Sequence, residues 1–152
     1  MSTPEIEMNR GIALAGLYRL PEAESIFRNV LLTNPGDPRA LFNMGYIAAQ
    51  RNQSAAAESL FEAAAAAGYA VDTAMRTNLG QMKLQLGKLE EAENLLSTGV
   101  REDPGSPSLW LLYGYALYQR GKPDEARQAW TRVLAIDPQN AYAREYLAKM
   151  GK

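Results

Sequence analysis

The sequence predicts an all-α fold, a solenoid in which antiparallel helix pairs stack on one another. Glycines recur at intervals of 34, 35 and 34 residues, each followed by an alanine twelve residues later and a large apolar residue sixteen residues later. Apolar residues between these markers return every three or four positions, as in amphipathic helices. One pair of this length cannot bury its apolar face alone, so neighbouring pairs must stack. The three series are Gly11, Gly45, Gly80 and Gly114; Ala23, Ala57, Ala92 and Ala126; and Phe27, Phe61, Leu96 and Trp130.

The ends of the helices are marked by capping residues and turn residues. Pairs such as Asp37-Pro38 place an N-cap residue before a proline at the first helical position. Gly87 and Gly121 are suited to end the first helix of repeats three and four in a left-handed turn. The resulting boundaries are approximate: repeats at 4–37, 38–71, 73–106 and 107–140, then a capping helix at 141–150. Further N-caps are Thr3-Pro4 and Ser106-Pro107, and the second helices close at Asn34-Pro35, Asp103-Pro104 and Asp137-Pro138.

The composition excludes most catalytic chemistry. The 152 residues include no Cys and no His, which removes thiol nucleophiles, imidazole bases and Cys- or His-ligated metals. The glycines stand singly and form no phosphate-binding loop. We therefore expect no enzyme, no catalytic residue, no metal and no cofactor. Sixteen Lys and Arg against seventeen Asp and Glu give a net charge of −1, which argues against a nucleic-acid partner.

The location of the protein is predicted from what the sequence lacks. It has no run of about 18 apolar residues that would insert in a membrane. Its first residues, Met1 to Glu5, do not combine a charged segment with an apolar stretch, as a secretory signal does. We expect a cytoplasmic protein that forms a single domain over residues 1–152.

A glycine on the first helix and an alanine on the second allow the two helices to approach closely, while the large residue fills the space beside them. In repeat four these positions belong to a pattern that resembles the tetratricopeptide repeat. The resemblance covers residues 4 to 138 and implies a right-handed superhelix whose concave face, lined by the first helices, binds other proteins. Repeat two departs from the pattern, because Tyr69 replaces the closing proline. The residues that carry the resemblance are Trp110, Tyr113, Gly114, Gly121, Ala126, Trp130 and Pro138.

The first helices carry a second apolar stripe, at three residues before, one after and four after each glycine. A surface helix normally presents a charged face there, whereas this stripe has aromatics and no charge. It predicts a peptide-binding groove, with packing between adjacent first helices as the alternative for Met8, Ile12 and Leu111. A tyrosine needs a partner or water for its hydroxyl, which favours binding at the tyrosines. In repeat three the stripe positions hold the polar residues Thr77 and Gln81. The predicted groove residues are Met8, Ile12, Phe42, Tyr46, Leu111, Leu112, Tyr115 and Tyr118.

Asparagines stand two residues before three of the glycines, at Asn9, Asn43 and Asn78. A row of amides can hold an extended peptide by its backbone. The row resembles the asparagine ladder in the peptide-binding arm of the O-linked N-acetylglucosamine transferase, although asparagine is frequent at this place in the family whatever the ligand. The basic residues with which co-chaperone members hold a C-terminal carboxylate are missing. The matching positions are Met8, Ile12, Phe42, Tyr46, Ala74 and Asn78.

The remaining charges are predicted to be solvated. Glu93 belongs to an acidic helix start, and Arg19, Lys88 and Lys122 could form a mildly basic rim. The leading hypothesis for function is a non-enzymatic adaptor that binds an extended or helical segment of another protein. The alternatives are a dedicated secretion or pilus-assembly chaperone, since small proteins of this type resemble the type III secretion translocator chaperones, and a scaffold that self-assembles into homo-oligomers.

Overall fold

The computed structural model describes residues 2–151, and within that range it contains nine α-helices and no strand. Odd-numbered helices α1 to α7 are the first helices of the four repeats, even-numbered helices α2 to α8 are the second helices, and α9 is the capping helix. This confirms the all-α fold with four repeats and a cap. The helices are α1 Pro4–Gly16, α2 Leu20–Thr33, α3 Pro38–Gln50, α4 Ser54–Ala66, α5 Thr73–Gln85, α6 Leu89–Glu102, α7 Pro107–Gln119, α8 Pro123–Ile136 and α9 Ala141–Met150.

The chain divides after Ala70 into two compact units. The first unit holds α1 to α4 and the second holds α5 to α9. Inside each unit a first helix packs on its own second helix. Where a repeat precedes it in the same unit, it also packs on the second helix of that repeat, as α3 does on α4 and α2. None of the helices within residues 2–151 is long and apolar enough to cross a membrane.

The helix ends follow the local sequence signals. Each first helix and the capping helix begins with a residue whose side chain accepts a hydrogen bond from the backbone N–H three positions later, for example Asp37 from Ala40 at 2.9 Å. Such a cap satisfies one of the amide groups left free at a helix start. Gly87 and Gly121 adopt φ of +73° and +74°, the predicted left-handed turn. Tyr18 and Asn52, both at φ +58°, make the equivalent turn in the first two repeats.

The repeating glycines have a direct steric reason. A Cβ built on Gly45 would lie 2.8 Å from the Phe61 ring, and one on Gly80 would lie 2.7 Å from Leu96. Both distances are shorter than any real carbon contact, so the large residue sixteen positions on occupies the space of the missing side chain. The alanines twelve positions after each glycine are fully buried. The close approach of the two helices inside each repeat therefore depends on this glycine.

The residue that replaces the closing proline of repeat two has a packing role. The ring of Tyr69 stacks on that of Phe42, with centroids 4.3 Å apart and planes within 5° of parallel. Phe42 in turn lies 5.4 Å from the ring of Phe61. The end of α4 is thus held against α3 by stacked aromatic rings, which are favourable beyond the area that they bury.

Ion pairs join consecutive repeats within each unit. In the first unit Glu24 of α2 binds Arg51 at 2.7 Å. In the second, Glu93 of α6 binds Arg120 at 2.6 Å and Lys122 at 2.7 Å, and only 13% of its side chain is exposed. The prediction that Glu93 and Lys122 are merely solvated is therefore wrong.

We expect Glu93→Gln to lower the melting temperature at neutral pH by about 2–4 °C. Burial opposes ionisation of the Glu93 carboxyl, but hydrogen bonds from Lys122 and Arg120 outweigh it and hold its pKa below the ordinary value. A pKa lowered by folding adds stability that is complete above the unfolded pKa of about 4.3 and is lost as the pH falls through the folded value. Melting curves followed by circular dichroism from pH 7 into the acid range measure the difference in melting temperature between the wild type and Glu93→Gln at each pH.

The matched control is Glu145→Gln, which removes an exposed pair with Lys149 of 2.6 Å. Exposed pairs contribute little to stability, so its melting temperature should follow the wild type at every pH. If the melting temperature of Glu93→Gln stayed below that of the wild type by the same amount as the pH fell, the effect could not be assigned to the ionised carboxyl.

Candidate functional site

A surface cavity of about 320 Å³ lies in the second unit between the first helices and the cap. Helices α5, α7 and α9 all contribute to its walls, which are largely apolar and aromatic. Its polar groups are two glutamine amides and two tyrosine hydroxyls, and none of its lining side chains is charged. The lining residues are Gln81, Leu84, Gln85, Leu111, Leu112, Tyr115 and Tyr146.

A second cavity of about 200 Å³ adjoins the first, because Tyr115 and Tyr146 line both. It adds Tyr118 and Trp130 to the aromatic surface. Its one charged lining residue, Lys149, is bound to Glu145 at 2.6 Å. We call the two cavities together the aromatic hollow. The remaining residues that line the second cavity are Gln119 and Met150.

Four aromatic rings form a chain of contacts in the order Tyr115, Tyr146, Trp130, Tyr118. Tyr146 lies 4.8 Å from Trp130 and 6.1 Å from Tyr115 between ring centroids, and Tyr118 lies 5.8 Å from Trp130. The indole N–H of Trp130 donates to the Leu111 carbonyl at 3.1 Å, which fixes the central ring. Burial raises the pKa of the Tyr146 hydroxyl, so this group stays neutral and able to donate a hydrogen bond.

Four of the predicted groove residues meet at this hollow: Leu111, Leu112, Tyr115 and Tyr118. All four belong to α7, the first helix of repeat four. Tyr118 is the most exposed, with 48% of its surface accessible. The hollow therefore collects the whole second apolar stripe of repeat four.

Two of the four apolar groove residues predicted in the first unit, Met8 and Phe42, are engaged in packing. Met8 is only 3% exposed and belongs to the same buried cluster as Phe27, so the packing alternative accounts for it and it has no surface to offer a ligand. Phe42 is stacked under Tyr69. Ile12, which is 40% exposed, and the half-buried Tyr46 remain accessible.

The asparagine amides are partly engaged within the protein. Asn43 and Asn78 each donate a side-chain hydrogen bond to the carbonyl four residues earlier in their own helix, at 2.8 and 2.9 Å. Either residue can still offer a ligand its side-chain oxygen as an acceptor and its second amide N–H as a donor. The corresponding oxygen of Asn9 accepts a hydrogen bond from Arg39 at 3.1 Å.

Sequence reasoning missed Tyr146 and Gln85 as lining residues of the hollow, and it placed Gln81 and Leu84 on the second stripe without including them in the groove. The repeat period could have found Tyr146. It stands 34 residues after Leu112, and Leu112 occupies in repeat four the position that asparagine occupies in the other repeats. Extending the repeat period into the tail would have placed Tyr146 on the same face as the predicted groove. The cap therefore supplies a wall of the hollow in addition to covering α8.

Profiles of the tetratricopeptide repeat match the chain over residues 8–71, 48–113 and 83–150. The chain belongs to the tetratricopeptide repeat family. The matches together span residues 8–150 and therefore include all the helices described above except the first turn of α1. Among curated proteins, none matches this tetratricopeptide repeat chain in sequence.

Several solved structures have the same fold as this chain. YrrB, described as a TPR protein with an unusual peptide-binding site, aligns with a TM-score of 0.83 at 21% identity over 95% of this chain and 74% of its own. MamA aligns with a TM-score of 0.81 at 22% identity over 97% of this chain and 87% of its own. The first TPR of Spaghetti (RPAP3), bound to an HSP90 peptide, aligns with a TM-score of 0.70 at 21% identity over 76% and 90%. At these identities the likeness is one of fold.

Proposed function

We propose that this tetratricopeptide repeat chain is a non-enzymatic protein-interaction module that binds a peptide segment of another protein in the aromatic hollow. The observation that carries the proposal is an uncharged cavity with walls from α5, α7 and α9, in which Tyr115 and Tyr146 face one another. Concave apolar sites with a few polar groups are typical of ligand pockets. The family assignment and the peptide held by the RPAP3 domain support the same class of function.

The lining of the hollow favours an apolar anchor side chain on the ligand. A charged side chain would lose its hydration on entering and would meet no opposite charge there, since Lys149 is already paired with Glu145. The amide of Gln81 could bond to the backbone of the ligand beside the anchor. This chemistry differs from the capture of a C-terminal carboxylate, for which the basic residues are missing.

The first unit is proposed to make further contacts through its accessible residues. Ile12 and Tyr46 keep exposed surface, and the side-chain oxygen of Asn43 can accept a backbone N–H group. Asn78, which belongs to the second unit, offers the same atom there. Asn9 would first have to release Arg39. We therefore place the main affinity in the aromatic hollow.

Tyr115→Ala is expected to weaken peptide binding about 30-fold, because a central aromatic residue of an interface typically contributes about 2 kcal/mol. A peptide selected from a random library on the wild-type protein serves as the ligand, and its dissociation constant is measured by fluorescence anisotropy. The matched control is Tyr142→Ala, which removes a tyrosine of α9 that is 62% exposed and lines neither cavity. Its affinity should equal that of the wild type.

Selected peptides that bound Tyr115→Ala as tightly as wild type would remove the hollow as the binding site. Light scattering coupled to size exclusion, run over a wide concentration range, separates the alternatives. Concentration-dependent oligomers that Tyr115→Ala disperses would favour a self-assembling scaffold. Co-expression that solubilises one apolar secreted client would favour a dedicated chaperone.

A further inference from the structure

A second concave surface of repeat four lies between its two helices and is separate from the aromatic hollow. Its volume is about 460 Å³, and α7 and α8 supply all of its walls. From α7 come Trp110, Tyr113 and Leu117. No residue in the described range 2–151 lines both this surface and the aromatic hollow. We call it the α7–α8 cleft.

The cleft is open because repeat four has a small residue where the other three repeats have a large one. Ala129 stands fifteen residues after the repeat glycine, and this position holds Ile26, Leu60 and Leu95 in repeats one to three. In repeat two the larger side chain lies against the first helix, since a Cβ built on Gly45 would be 3.3 Å from Leu60. Ala129 leaves this space empty beside Trp110 and Tyr113.

The aromatic residues of the cleft keep apolar surface that a further contact would bury. Trp110 and Tyr113 are half-buried, and their ring centroids are 6.2 Å apart. The indole N–H of Trp110 donates to the Pro104 carbonyl at 2.9 Å, which holds the ring in place. Tryptophan and tyrosine are enriched at protein interfaces, so the cleft offers a preformed surface of the kind that interfaces use.

Two opposite charges stand on the α8 side of the cleft. Glu125 and Arg132 are both exposed and are seven residues apart, so they share one face of α8 at a separation of about 10 Å along its axis. Neither forms an ion pair with another residue of the part of the chain that the structure describes. Lys122, one turn before Glu125, is hydrogen-bonded to Glu93 at 2.7 Å. Both charges are therefore available to another molecule.

We infer that the α7–α8 cleft is the interface of a homodimer, in which the α8 helices of two copies lie antiparallel across a two-fold axis. Such an interface must be self-complementary, because each patch meets the same patch reversed. Glu125 and Arg132 meet this condition: reversing α8 about the point midway between them sets each opposite the other residue of the second copy. That point falls between Gln128 and Ala129, so the Gln128 side chain of each copy enters the space that Ala129 of the other leaves open. Its amide can bond there to the hydroxyl of Tyr113.

The test reverses the two charges one at a time, and light scattering coupled to size exclusion over a wide range of loading concentrations measures the result. We expect the wild type to form a concentration-dependent dimer. Glu125→Arg and Arg132→Glu should each weaken dimerisation about 100-fold, because each sets like charges together at both symmetric contacts. An equimolar mixture of the two variants should form heterodimers at the concentrations at which the wild type dimerises. One variant then carries two arginines and the other two glutamates, so both contacts pair again.

The matched control is Arg127→Glu, which reverses the same charge at an exposed residue of α8 that does not line the cleft. It should dimerise as the wild type does, and so should Tyr115→Ala, because Tyr115 lines the aromatic hollow. A wild-type monomer at every concentration, single variants that still dimerise, or a mixture that stays monomeric would overturn the inference. A dimer that Tyr115→Ala disperses would assign self-association to the aromatic hollow and would overturn it as well.

Discussion

Gly114→Ala is expected to lower the free energy of unfolding by about 2–3 kcal/mol. The added Cβ would overlap the indole of Trp130, which is only 2% exposed and lies directly against Gly114. The ring cannot easily move away, because its N–H is bonded to the Leu111 carbonyl and the rings of Tyr118 and Tyr146 contact it. The new methyl group therefore forces α7 and α8 apart rather than moving one flexible side chain.

Urea unfolding followed by circular dichroism measures this loss, and Gly16→Ala provides the matched control. Gly16 is the last residue of α1, and a Cβ built on it meets no atom within 4 Å. The same substitution should there raise stability by up to about 1 kcal/mol, because alanine loses less conformational freedom than glycine in a helix. Equal effects of the two substitutions would show that backbone propensity, and not the contact with Trp130, decides the residue at position 114.

Phe61→Ala is expected to cost about 4 kcal/mol of stability, the largest single effect that we predict. Phe61 is 0% exposed, its ring covers Gly45, and it lies 5.4 Å from Phe42. Removing the ring leaves a cavity between α3 and α4 that the helices cannot close, since the neighbouring Ala57 has no volume to move into it. The same urea unfolding measurement applies.

The internal repeats supply the control for this prediction. Leu96 occupies the equivalent position in repeat three, where its side chain lies on Gly80 as Phe61 lies on Gly45. Phe61→Leu should therefore cost only about 1 kcal/mol, because leucine can occupy the same site with a small loss of volume. If Phe61→Leu and Phe61→Ala were equally damaging, the site would require an aromatic ring and the repeats would not be equivalent there.

The helices and their ends could be predicted because their causes lie close together in the sequence. Asp37 caps the helix that begins next to it, and Gly87 makes the turn that directly follows α5. The pairing of the helices could also be predicted, because a contact like that between Gly114 and Trp130 recurs in every repeat at a spacing of sixteen residues. Such spacings are properties of the repeat, and one chain with four copies shows them without any relative.

The site was predicted less completely because burial depends on which faces other helices cover. Met8 and Leu111 occupy the same register position, yet Met8 is buried in the core while Leu111 lines an open cavity. The role of Tyr146 depended on treating the tail as a fifth first helix. The pairing of Glu93 with Arg120 crosses a repeat boundary, so a search confined to one repeat does not find it.

Contacts within a repeat and contacts between repeats differ in how they respond to duplication of a repeat. The contact between the glycine and the large residue closes within one repeat, whereas the glutamate–arginine pair joins one repeat to the next. A tandem duplication preserves the first contact automatically but preserves the second only if one repeat carries both partners. Repeat two alone carries both, with Arg51 at the arginine position and Glu58 at the glutamate position. A duplicated repeat four would instead place Arg120 of the later copy beside Arg127 of the earlier copy. Gene duplication that lengthens this array is thus expected to use residues 38–71 as its unit.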